Sequence, residues 1–149
     1  MIEERVDKDL KAAMLAKDST LVSTLRSIKS SILYYKISNG KRDQNLSDSE
    51  VITLLSKEAK KRQESADLYR QGNDNDRADQ ELKEKEILDS YLPEKMDLDE
   101  LKRIVIEVVN SFDKDKTKMG AIISEVKNKT NGGAEGSEIA RLVKESLDQ

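Results

Sequence analysis

Apolar residues recur along this chain at helical spacing from one end to the other, and no stretch alternates as a half-buried strand does. Ile2, Val6, Leu10 and Met14 mark one face of a first helix, with Glu4, Asp7, Lys8 and Lys11 elsewhere on its circumference. Asp18 or Ser19 is placed to cap a second helix, whose stripe is Leu21, Leu25, Ile28, Ile32 and Tyr35 and whose exit is Asn39-Gly40. Ser47-Asp48-Ser49-Glu50 has the form of a capping box, in which Ser47 and Glu50 satisfy each other's backbone donors. The third helix then runs to about Gln71 on Val51, Leu54, Leu55, Ala59, Ala66 and Leu68-Tyr69, and Gly72 stops it. Ala78, Leu82, Leu88 and Leu92 predict a fourth, closed by Pro93.

Past that single proline the period resumes on shorter segments. Asp97 and Glu100 read as a second helix start, followed by Leu101, Ile104, Val105, Val108 and Phe112. A sixth helix is predicted on Met119, Ile122, Ile123 and Val126, with Gly120 permitting close packing at its start and Gly132-Gly133 ending it. A seventh is predicted on Ile139, Leu142, Val143 and Leu147. The expected fold is all-α: an N-terminal four-helix domain over 1–93, a linker over 94–96, and a three-helix tail domain over 97–149.

Composition narrows the chemistry. The chain has neither cysteine nor histidine, which removes thiol and imidazole nucleophiles, the usual zinc sites and disulfides. Three Ser-x-x-Lys spacings occur, Ser38/Lys41, Ser111/Lys114 and Ser124/Lys127. With fifteen serines and nineteen lysines, chance placement gives about two. Asp74-x-Asp76 and Asp113-x-Asp115 fail as calcium loops, since position twelve holds Lys85 or Ser124 where a bidentate Glu is required. No Gly-rich phosphate loop follows a strand. No catalytic centre, metal site or cofactor is therefore expected. Met1-Ile2-Glu3-Glu4 is unlike a secretory leader, and no apolar run approaches a membrane span, so the expectation is a cytoplasmic protein away from the bilayer.

The formal charge is −3, from 27 basic and 30 acidic residues, so any anionic partner must use a local patch. Two basic groups stand out. Lys57, Lys60, Lys61 and Arg62 cover less than half the circumference of the third helix. Lys116, Lys118, Lys127 and Lys129 flank the sixth, with Arg141 and Lys144 on the seventh. Charge pattern alone reads these as solvated faces paired with neighbours such as Glu58, Glu64 and Glu125. Without interleaved exposed aromatics, stacking on single-stranded bases is not expected, which leaves shape and backbone recognition of a folded RNA.

Several segments together resemble a known family: Ala12-Ala13-Met14-Leu15-Ala16-Lys17-Asp18, Leu25 to Ile32, Leu46 to Val51, Lys61-Arg62-Gln63-Glu64-Ser65, Glu86 to Pro93, Lys118-Met119-Gly120, and Gly136 to Leu147. In order and spacing they resemble the YqeY-like family, which is similar to the C-terminal helical and tail region of the GatB subunit of tRNA-dependent amidotransferase. The chain departs from the family's tail turn, usually Gly-Arg-Ala-Asp-Gly, at Gly132-Gly133-Ala134-Glu135-Gly136, and has Lys118 where Asp is common. The resemblance implies a non-catalytic helical module that binds tRNA or an amidotransferase-related protein partner. The ten cations of the two basic groups are then the RNA-binding candidates. By transfer, the resemblance also carries a carbon–nitrogen ligase label with glutamine as amido donor. A plain protein-interaction adaptor is the third alternative.

Overall fold

A computed structural model describes residues 1–149. The chain is all-α: α1 (Ile2–Ala16), α2 (Ser19–Ser38), α3 (Asp48–Gln71), α4 (Asn75–Asp89), α5 (Leu98–Ser111), α6 (Met119–Thr130) and α7 (Gly136–Leu147), with a single 3-10 turn over Lys116–Lys118 before α6. It divides into two compact units, Met1–Leu92 and Pro93–Gln149. None of its helices is long and apolar enough to cross a membrane.

In the first unit, α1 packs on α2 and α3 runs along α4. Val6, Ala13, Leu25, Ile28, Ile32, Leu46, Val51, Leu55, Ala59 and Leu88 form its core. The expected stripes hold with two exceptions. Met14 is half exposed, and Ala13 takes the inward position instead. Leu68 is 67% exposed although it follows the period. Asp18 caps α2 by accepting from Leu21 N–H at 3.2 Å, and Asp74 caps α4 through Arg77 N–H at 3.2 Å. The capping box before α3 works in one direction only: Ser47 Oγ accepts from Glu50 N–H at 3.2 Å, while the Glu50 carboxylate turns to Lys41 Nζ at 3.0 Å. Helix α4 ends at Asp89, four residues before Pro93, with Ser90 donating to the Ile87 carbonyl at 2.6 Å.

Polar contacts tie α1 to the rest of this unit. Glu3 accepts from Lys36 Nζ with one oxygen and from Leu46 N–H at 2.9 Å with the other. Asp48 accepts from Ile2 N–H at 2.8 Å, occupying a donor that the start of α1 leaves unpaired. The buried Tyr91 donates its hydroxyl to Asp9 at 2.5 Å, and the Arg5 guanidinium lies 4.7 Å over its ring. Burial pushes the Tyr91 hydroxyl well above its ordinary range, and the bond to the Asp9 carboxylate adds to that, since both disfavour a phenolate.

The second unit is three amphipathic helices around Leu101, Val105, Val108, Val109, Ile122, Val126, Ile139, Leu142, Val143 and Leu147. Asp97 precedes α5 but makes no side-chain cap bond, so the expected cap there is absent. Gly120 faces open space, and close packing is not what it provides. The exit from α6 uses Asn131 in the left-handed region (φ 48) followed by Gly132 (φ 85). The tight position is Gly133. A Cβ there would stand 3.1 Å from the Thr130 carbonyl oxygen and 3.3 Å from Met96 Cβ, where Met96 N–H donates to Gly133 O at 2.7 Å. Gly133→Ala must push that strand of chain aside, and thermal melting should show a loss of about 1–3 kcal/mol, as overpacking typically gives.

Candidate nucleic-acid interface

Helix α2 is amphipathic in an unusual way. Its inner face is Leu25, Ile28 and Ile32, all buried. Its outer face repeats small hydroxyl residues at helical spacing, Ser27, Ser30, Ser31 and Ser38, around Tyr34. Helix α2 meets α1 more extensively than it meets α3 or α4. Between it and Leu54, Glu58 and Lys61 of α3 lies an open groove of about 540 Å³, completed by Tyr35 and Asn39. Tyr34 is 76% exposed, so its ring is offered to solvent along the groove.

Beneath the groove a small cavity is lined by Thr24, Ser27, Ile28, Ser31, Glu58, Arg62 and Leu88, sharing Ser27, Ser31 and Glu58 with it. Thr24 is 3% exposed, and its hydroxyl has no hydrogen-bond partner.

The electrostatics of the walls differ from those of the whole chain. Helix α2 contains Arg26, Lys29 and Lys36 and no acidic residue. Residues 54–62 of α3 hold Lys57, Lys60, Lys61 and Arg62 against the single Glu58, and of these Lys61 and Glu58 line the groove. Some of this charge is compensated. Lys29 pairs with Asp7 at 2.8 Å, and Lys36 with Glu3. Arg62 is held by Glu81 at 3.1 Å and Glu84 at 3.0 Å, which makes it a strut between α3 and α4 rather than a free contact. Lys61 reaches Glu58 only at 3.8 Å and remains 72% exposed, the kind of surface pair that is worth little. Arg26, Lys57 and Lys60 are exposed and have no carboxylate within 4 Å.

The tail candidates are more scattered. Lys116 pairs with Asp148 at 3.7 Å, Lys129 with Glu107 at 3.6 Å, and Arg141 with Glu145 at 3.0 Å and Glu138 at 4.0 Å. Lys118, Lys127 and Lys144 have no such partner. The Lys127 stem lies against Gly136, its Cε 3.3 Å from where a Cβ of that residue would stand. The second unit holds ten basic against twelve acidic residues, and its cations are interleaved with carboxylates.

The expectation of no exposed aromatic beside a basic group therefore needs correcting, because Tyr34 stands across the groove from Lys61. Reading α3 alone could not find it. The available signal was the serine spacing around Tyr34 on a helix without acidic residues. Chemically the groove offers hydroxyls, a carboxamide, two rings, a carboxylate and a cation. Lys61 and Glu58 lie 3.8 Å from each other on the α3 side of the groove. No group of three or more carboxylates that could hold a metal ion is present.

The chain is 32% identical over 142 residues to the Altered inheritance of mitochondria protein 41, mitochondrial, of Clavispora lusitaniae (strain ATCC 42720), covering 91% of this chain and 81% of that protein. The family described as Yqey-like protein matches residues 3–147, almost the full length. The chain belongs to the YqeY-like family.

Proposed function

We propose that this chain is a non-catalytic helical module that binds tRNA, with α2 and the facing part of α3 as the contact surface. The observation that carries this reading is local charge. Helix α2 carries Arg26, Lys29 and Lys36 and no acidic residue, Lys61 of α3 lines the groove beside it, and Arg26, Lys57 and Lys60 are exposed with no carboxylate within 4 Å, in a protein that is acidic as a whole. Such cations neutralise phosphates and release counterions. The resemblance to the tRNA-holding end of the amidotransferase supports the same reading. Lys118, Lys127 and Lys144 are a secondary candidate contact, weaker because Lys116, Lys129 and Arg141 are engaged with carboxylates.

Titrating the protein with tRNA over a range of salt tests the proposal. Three phosphate contacts predict a fall in log K of about 2–3 per tenfold increase in salt. No binding at low salt, or binding indifferent to salt, overturns it.

A protein partner is the second reading. Leu33 and Ile37, on the outer side of α2, are 51% and 56% exposed. Leu33→Glu with Ile37→Glu would abolish such a complex.

A further inference from the structure

The groove between α2 and α3 has features that phosphate neutralisation does not require. We infer that it is a site for single-stranded RNA, in which a base stacks on Tyr34, Lys61 takes the adjoining phosphate, and the serine hydroxyls of α2 meet the ribose and phosphate oxygens. The inference rests on the proposed RNA binding and specifies which form of RNA is held.

Four observations converge on it. The lining is hydroxyl-rich and aromatic with a single aliphatic side chain, Leu54, whereas a groove for an apolar helix needs a mainly aliphatic floor. Tyr34 is exposed yet held within a twenty-residue helix, four residues before its end, so its backbone is already ordered for presenting the ring. Lys61 is held only by the loose contact to Glu58, and a phosphate can displace it. Lastly, the buried Thr24 hydroxyl lacks any partner within the protein, which is an uncommon and costly state for a polar group. It lines the small cavity that shares Ser27, Ser31 and Glu58 with the groove lining and has room for about one water-sized group.

Duplex RNA does not fit this chemistry, because its base faces are already stacked on one another. An unpaired end or loop does. Any base has a face to stack, so little sequence preference is expected.

The test is fluorescence anisotropy of the full chain with a labelled single-stranded RNA octamer, the same sequence as a blunt duplex, and intact tRNA. The octamer should bind at least tenfold more tightly than the duplex. Tyr34→Leu should lose at least tenfold in octamer affinity, while Tyr34→Phe retains it. Lys61→Gln should lose several-fold and lower the salt slope by about one. Thr24→Val should weaken the octamer without lowering the thermal midpoint, which a merely structural hydroxyl would not do. Equal binding of duplex and octamer, or an unchanged Tyr34→Leu variant, overturns the inference. If tRNA binds and the octamer does not, this inference fails while the proposed function stands. If neither binds, both fail.

Discussion

Glu3→Gln is expected to cost the first unit about 3–5 kcal/mol, the range for breaking a buried ion pair from one side. The Lys36 ammonium is buried against Glu3, whose second oxygen accepts from Leu46 N–H at 2.9 Å. A carboxamide in the same place leaves the lysine charge uncompensated, and its NH2 must face either the cation or a backbone donor. Urea unfolding followed by circular dichroism gives the number. Replacing both partners by apolar residues, Glu3→Leu with Lys36→Met, should cost far less, since no buried charge is then stranded. A Glu3→Gln loss below about 1 kcal/mol would mean that the Lys36 ammonium reaches water in solution.

The second large effect concerns binding. Lys57→Glu with Lys60→Glu should weaken tRNA binding roughly 10- to 100-fold at low salt, because each change removes a phosphate contact and adds a repulsion. Both side chains are exposed and unpaired, so stability should stay within about 0.5 kcal/mol. The matched control is Lys116→Glu with Lys129→Glu in the tail, which replaces cations already engaged with Asp148 and Glu107. The α3 pair should outweigh the tail pair. Equal losses from the two would place the contact on both units, and a larger tail loss would move it there.

The residues show why the fold was more legible than the site. Ile139, Leu142, Val143 and Leu147 are buried as their spacing demands, because a short helix in a three-helix unit has one direction in which to hide its apolar stripe. The misses were at positions decided by neighbours. Met14 and Leu68 follow the period but stand exposed, and Asp97 has the right identity without the cap bond. Gly120 and Gly133 look alike in sequence, and only the nearness of Met96 and the Thr130 carbonyl to Gly133 shows which of them is tightly packed.

The site was harder because its parts lie on different helices. Lys57, Lys60, Lys61 and Arg62 look alike in one dimension. In three, Arg62 is a strut to Glu81 and Glu84, Lys61 turns to the groove, and Lys57 and Lys60 stand free. Tyr34 lies off the predicted stripe that ends at Tyr35, and its exposure beside Lys61 emerges only when α2 and α3 are placed together. Thr24 carries no signal at all in sequence, since an unsatisfied hydroxyl is defined only by its surroundings.

The central claim is that RNA lies on the α2–α3 face of the first unit. Backbone amide chemical-shift mapping of the labelled full chain, with tRNA added at low salt, tests it most directly. The account predicts that the largest shifts fall on Ser27, Ser31, Tyr34, Lys57 and Lys61, and that they reverse as salt is raised. Shifts confined to 116–144, or none on α2, would contradict it.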